Sequence, residues 1–307
     1  MRVPQEDPGE RARGGWVLAG ARAPEARGRE RDNVEGERRE RAAHPEWYRF
    51  LDPEAPNHAL KRVETELYLR RLVPRLAALG GAAGAPARIL DVGGGTGRLA
   101  LPLAALGHSV TVVEPGLAAL ADAAAAIAAH GAGSPVAAPI ALMHGGAYDL
   151  STLADGSFDA ALAVEVLCYL EQPERALAEI ERVVRPGGVV ALSVEAWPGG
   201  LLAARDVPSG EIERALATRV LHRPGDLFVR YYGASELETL ERAAGLDDVT
   251  VAGHHFVLEG PLGAALDGLD ISDPAAVATI LDLEERLSAD VSCGALARAV
   301  LAIGVRR

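Results

Sequence analysis

The chain has 307 residues, 49% of them hydrophobic and 24% charged, with a formal net charge of −12. That length supports one large α/β domain with a cap, or two small domains. The acidic balance argues against a general nucleic-acid binder, no apolar run reaches the roughly 18 residues of a membrane span, and the N-terminus lacks the apolar core of a signal peptide. Cys168 and Cys293 stand outside any C-x-x-C or metal-ligand spacing, which points to reduced thiols in a cytoplasmic protein.

Residues 1–42 hold ten arginines against nine acids and few aliphatics. Such a segment buries too little apolar surface to offset its ordering entropy, so a disordered charged tail is expected; a start codon assigned too far upstream leaves the same composition. The folded domain is expected over 43–307, with 43–82 as a helical lead-in. Trp47, Tyr48, Phe50 and Leu51 form an aromatic cluster before Asp52-Pro53. Leu60, Val63, Leu67, Leu69, Leu72, Val73 and Leu76 then repeat at helical spacing over about 59–79, with Pro74 as a kink or break and Gly80-Gly81 as the stop.

Strands and helices alternate from there. Strands are expected at 87–92, 109–113, 140–144, 158–164 and 189–194, with helices at about 97–106, 117–130 and 173–184 between them. This alternation means a parallel sheet covered on both faces. The regularity lapses over 196–233, where a short helix near 211–218 and no clear strand suggest an inserted cap. A helix at 235–244 and a strand at 248–252 restore it. A second cap insertion, 254–294, carries a helix near 274–288, and the last strand is expected at 297–305.

The strand ending at Asp91 runs into Val92-Gly93-Gly94-Gly95-Thr96-Gly97. Glycines there let the backbone approach a ligand closely, and the start of the following helix offers unpaired N–H groups. A nucleotide-like cofactor is implied. Gly95-Thr-Gly97-Arg-Leu-Ala100 meets the looser dinucleotide fingerprint, and Glu114 at the end of the second strand suits the ribose of NAD. On the turn alone a dehydrogenase is the structural rival.

Five features in order decide against it. Ile89 to Gly97, Val112-Val-Glu114, Asp155-Gly-Ser-Phe-Asp159, Arg185-Pro-Gly-Gly188 and Ala244-Gly245 resemble the cofactor-binding half of class I S-adenosylmethionine-dependent methyltransferases. The resemblance covers about 87–252. It implies an α/β, Rossmann-like, seven-stranded and mostly parallel sheet with the last strand antiparallel, helices on both faces and helical caps. It implies S-adenosylmethionine as cofactor, Gly93, Gly95 and Gly97 as the cradle, Glu114 on the ribose diol, and Asp91 on the methionine ammonium. Glu165, after the fourth strand, is expected at the methionine end too. The family's acid for the adenine amine falls on Gly146, leaving the backbone at Ala147 and Tyr148, with Asp149 to compensate.

Methyl transfer from a sulfonium needs positioning above all, and a base only where the acceptor is protonated. Glu165, Tyr169, Glu195, Trp197, His254 and His255 follow strand ends. Of these, His254 or His255 has the best intrinsic pKa for a base. No metal-ligand set is present: Asn33 and Asn57 precede the sheet, and adjacent histidines on a strand face opposite ways. The expected activity is methyl transfer to O or N of a small-molecule acceptor, without nucleic-acid or membrane partners. Trp47 to Asp52, the 197–232 insert with Phe228, Tyr231 and Tyr232, and the excursion after His255 would close the pocket. C-methylation and non-catalytic binding of S-adenosylmethionine are the alternatives. The oligomeric state is open.

Overall fold

The computed structural model describes residues 29–48, 50–55, 57–79, 86–133, 138–204, 207–223, 227–266 and 269–307. Seven strands form one sheet: β1 (Arg88–Val92), β2 (Ser109–Glu114), β3 (Ile140–His144), β4 (Phe158–Val164), β5 (Val184–Glu195), β8 (Leu246–His254) and β9 (Ala299–Arg306). Their order is β3-β2-β1-β4-β5-β9-β8. The first five run parallel, and β9 is antiparallel to both β5 and β8. The chain moves outward from β1 to β2 and β3, then crosses back to β4. The carboxyl ends of β1 and β4 therefore flank the switch point, where a crevice opens in sheets of this type.

Both faces are apolar because each strand alternates between two covers. Leu90, Val92, Ala161, Val190 and Leu192 pack with Leu177 and Ile180 of α5 (Pro173–Val183). Ile89, Val112, Leu162 and Ala191 pack with Leu72 and Leu76 of α2 (His58–Ala77) and Leu103 of α3 (Ala100–Ala105). α4 (Leu117–Gly133) completes the β2–β3 crossover. A third cluster joins Leu60, Val63 and Leu67 of α2 to Val257 and Leu258 and to Ile280 and Leu281 of α9 (Pro274–Ala289). The excursion after β8 thus packs on the lead-in helix.

Several local expectations change. α2 runs through Pro74 as one helix. β5 starts at Val184, so Arg185 to Gly188 lie within the strand. The register steps from Phe158↔Val184 to Ala160↔Val189 there. Asp159 holds this irregularity by accepting from the Arg88 amide at 2.8 Å and Arg185 Nε at 2.7 Å. Its match to the family pattern therefore serves the sheet, not the ligand. The insert after β5 holds α6 (Gly199–Ala203), α7 (Ser209–Thr218) and an unexpected hairpin, β6 (Val220–Arg223) with β7 (Leu227–Arg230), before α8 (Ala234–Ala243). Leu221 and Val229 bury one face of that hairpin against the sheet.

Of the expected charged tail, residues 1–28 lie outside the described residues. Arg29–Ala43 form α1. Its own apolar content is too low to hold it, and tertiary bonds do so instead. Buried Asn33 donates to the carbonyls of Tyr169 and Phe228 at 2.8 and 3.4 Å, and accepts from the Phe228 amide at 3.0 Å. Arg41 pairs with Asp122 of α4 at 2.7 Å and lies over the Tyr48 ring. Asn33→Ala would strand the Phe228 amide at a cost of about 1–3 kcal/mol. Amide exchange across α1 is expected to accelerate about tenfold or more, read by hydrogen-exchange mass spectrometry; unchanged protection would show that Asn33 does not hold the helix.

Candidate active site

The loop after β1 is shaped by what lies beneath it. Gly93 adopts φ +65°, and a Cβ there would meet Val166 Cγ2 at 2.5 Å. At Gly94 a Cβ would meet Asp91 Oδ2 at 2.6 Å. Nothing lies within 4 Å of the corresponding position at Gly95, so a ligand can approach that backbone. Gly97 closes the turn at φ +78°, its amide donating to Gly94 O. α3 begins only at Ala100, three residues later than expected. Loop amides, not a helix terminus, therefore face the crevice.

Glu114 ties the loop to the end of β2. Oε2 accepts from the Gly95 amide at 3.1 Å and Oε1 from the Gly116 amide at 2.8 Å. Two backbone donors orient the carboxylate and leave lone pairs for a vicinal diol. Asp91 is buried, and its Oδ2 has no hydrogen-bond partner among the described residues. The same holds for buried Thr96 Oγ1. Unpartnered buried oxygens are costly and mark places where a bound group belongs. Two acids and open glycine backbone fit a sulfonium nucleoside.

Burial pushes both acids up to about 7, that of Glu114 with help from Glu37 of α1 against the Gly116 and Gly95 amides. Raised carboxyls stabilise the free protein below their unfolded values of 3.8 and 4.5, and that contribution is lost as pH rises through about 7. Donors of the cofactor favour the ionised forms and restore it. Affinity for S-adenosylhomocysteine is therefore expected to fall by up to about tenfold per group per pH unit below 7. Calorimetry across pH checks this; a flat profile from about pH 5.5 to 8 would contradict it.

One strand further on, an ion-paired chain crosses the carboxyl edge. Arg98 Nη1 donates to Glu64 Oε2 at 3.1 Å, and Lys61 Nζ to Glu64 Oε1 at 2.8 Å and Glu259 Oε2 at 3.1 Å. Arg298 Nη1 donates to Glu259 Oε2 at 3.2 Å and Nη2 to Glu195 Oε1 at 2.9 Å. Glu165 adjoins this chain, 3.9 Å from both Arg298 Nη1 and His255 Nδ1. Burial opposes the charge of Glu64, but Lys61 and Arg98 outweigh it and hold its carboxyl below the usual range. Glu165 is held down likewise by Arg298, Lys61 and Arg98 against burial.

The expected bases are repositioned. His254 ends β8 and His255 follows it, and both are buried. Burial, chiefly, drives both well below the usual histidine range, aided by each one's cationic or imidazole neighbours. His254 Nε2 is engaged with Ser193 Oγ at 3.2 Å, which also meets Tyr68 Oη at 3.0 Å. Burial of this degree disfavours the protonated imidazoles, which weighs against either as a base. Their rings pack edge-on with Tyr68 as a floor under the ion-paired chain.

Other expected residues are sorted by their contacts. Ala147 is buried in the core, and Tyr148 Oη accepts from the Gln172 amide at 2.8 Å. Asp149 does not compensate for Gly146: it caps its own turn by accepting from Ser151 N. Tyr231, Tyr232 and Phe228 are cap core, at most 3% exposed. Trp197 is half-buried beneath Arg219, whose guanidinium lies 4.1 Å from its ring. The side chain of Trp47 lies outside the described residues. Lys61, Glu64, Glu259 and Arg298 escaped the sequence reading. The one available signal was Lys61, the only lysine in the chain.

Comparison with known proteins agrees with this architecture. Residues 90–192 match the family model of a methyltransferase domain. The chain is 29% identical to a ubiquinone biosynthesis O-methyltransferase of Xanthomonas axonopodis pv. citri over 208 residues, 67% of this chain and 78% of that protein. The Xanthomonas oryzae pv. oryzae (strain PXO99A) protein of that name is 32% identical over 148 residues, 48% of this chain and 55% of the other, so the chain spans about half of that relative's length. Among solved structures, 1,6-didemethyltoxoflavin-N1-methyltransferase of Burkholderia thailandensis shares the fold, with TM-score 0.52, 18% identity and coverage of 94% of this chain and 95% of that one. The sheet order and loop define a Rossmann-like methyltransferase fold. Residues 90–192 thus match a methyltransferase domain, and the chain is similar to methyltransferases beyond that span.

Proposed function

We propose that the protein transfers a methyl group to O or N of a small-molecule acceptor held between the β4 and β5 ends and the two caps. The observation that carries this reading is the pairing of the Asp91–Glu114 loop with an ion-paired set of side chains at the β4 and β5 ends. Glu114 and Asp91 hold the nucleoside and methionine ends beside Gly93, Gly95 and Gly97. S-adenosylmethionine supplies an electrophilic methyl, so the chain's task is to orient the acceptor and exclude water. The names of the Xanthomonas relatives support an oxygen acceptor, and that of the Burkholderia protein supports the fold alone. The formal charge of −12 and the two unpaired cysteines fit a protein of the cytoplasm that binds neither nucleic acid nor membrane.

Calorimetry with S-adenosylmethionine, S-adenosylhomocysteine and NAD tests the cradle. Binding of the first two and not the third is expected; NAD binding alone would overturn it. Turnover against phenols, amines and carboxylic acids then tests catalysis, and cofactor binding with no turnover of any class would favour a binding protein.

A further inference from the structure

We propose that Glu165 is the acceptor-recognition carboxylate of this site, and that it anchors a protonated amine carried by the acceptor. The proposal rests on the methyltransferase reading and names the substrate class of the same site.

Three cations, Lys61, Arg98 and Arg298, are ion-paired with four carboxylates, Glu64, Glu165, Glu195 and Glu259. With His255 neutral the set carries one uncompensated negative charge. Glu64, Glu195 and Glu259 each accept charge-assisted hydrogen bonds from these cations. Glu165 differs: its nearest cationic nitrogen is Arg298 Nη1 at 3.9 Å, beyond hydrogen-bond range. It is also the most exposed of the four, at 22% against 1%, 0% and 21%. The carboxylate that lacks a direct donor is thus one of the two that remain partly exposed. All three cations are committed to carboxylates, which leaves a poor welcome for a phosphate or carboxylate ligand.

Glu165 follows β4 with a fixed backbone. It sits at φ +56°, the left-handed region that non-glycine residues seldom occupy, and its amide is fixed to Ser193 O at 2.8 Å. Val166, the next residue, packs against Gly93 of the loop. Glu165 instead neighbours Arg298 and His255, which belong to the β8 and β9 side of the edge. Asp91 Oδ2 meanwhile remains for the methionine ammonium on the β1 side. An ammonium on the acceptor fills the vacant donor position at Glu165 and neutralises the set, which a buried charge requires.

The test uses a matched set of 4-substituted phenols on the full chain saturated with S-adenosylhomocysteine: tyramine, its alcohol analogue tyrosol, and 3-(4-hydroxyphenyl)propionate. Calorimetry is expected to show tyramine binding at least about tenfold more tightly than either of the others. In Glu165→Gln that preference should fall to within about threefold, with affinity for S-adenosylhomocysteine changed less than about threefold. Retained cofactor binding also reports that the variant is folded. No preference for tyramine in the wild type overturns the proposal. So does a Glu165→Gln variant that loses S-adenosylhomocysteine as severely as the amine, which would return Glu165 to the methionine end. Failure of the wild type to bind S-adenosylhomocysteine strikes instead at the methyltransferase reading.

Discussion

Replacing Glu114 by alanine is expected to weaken S-adenosylhomocysteine binding about 100-fold, a loss near 3 kcal/mol. Two effects add. The ribose diol loses a charged acceptor, and charge-assisted bonds contribute more than neutral ones. The loop also loses its tether, because Glu114 holds the Gly95 and Gly116 amides. Glu114→Gln separates the two: it preserves the shape but presents donors where amides already donate. An intermediate loss is expected for it. The free protein should tolerate both changes well, since burial already holds Glu114 near 7 and removing it relieves a desolvated acid. Calorimetry with far-ultraviolet circular dichroism as the folding control decides this. Unchanged affinity in Glu114→Ala would remove the ribose assignment.

Replacing Arg298 by methionine is expected to cost about 3–5 kcal/mol of stability, a fall of roughly 5–10 °C in Tm. Methionine keeps much of the apolar stem while deleting the charge. Arg298 joins Glu195 on β5 to Glu259 in the excursion after β8, and Glu195 is fully buried. Breaking a buried pair from one side leaves the partner's charge without its compensation. Adding Glu195→Gln to Arg298→Met should recover part of the loss, with a coupling above about 1 kcal/mol in a double-mutant cycle. Additive changes, or a Tm within about 1 °C of wild type for the single variant, would show that the pair contributes little.

The reach of sequence reading differs between the two halves of the site. Asp91, the glycine loop and Glu114 lie close in the chain and at strand ends, where apolar runs followed by turn residues are visible. Their roles follow from local grammar. Lys61, Glu64, Glu259 and Arg298 lie far apart in sequence, and each alone reads as a solvated charge. Only the meeting of α2, the β8 excursion and the approach to β9 makes them one set. His254 and His255 differ again. Their chemistry looked apt, but burial is a property of the whole fold, and it lowers the basicity on which that aptness depended. Asp159 shows a third kind: its motif was visible, while its work, bonding Arg88 and Arg185, required the register of β4 and β5.

By itself the sequence determined the order of the strands in the main sheet and the helices between them, its two apolar faces and the glycine turn after β1. These depend on periodicity and on glycine, which act within a few residues. Tertiary structure decided whether a charged segment orders, as Arg29–Ala43 does by bonding Tyr169, Phe228 and Asp122. It also decided which acids accept directly from a cation, as Glu64, Glu195 and Glu259 do, and which, like Glu165, stand 3.9 Å from the nearest one. Ordering entropy and desolvation are settled by partners brought from distant parts of the chain, and no local pattern encodes those partners.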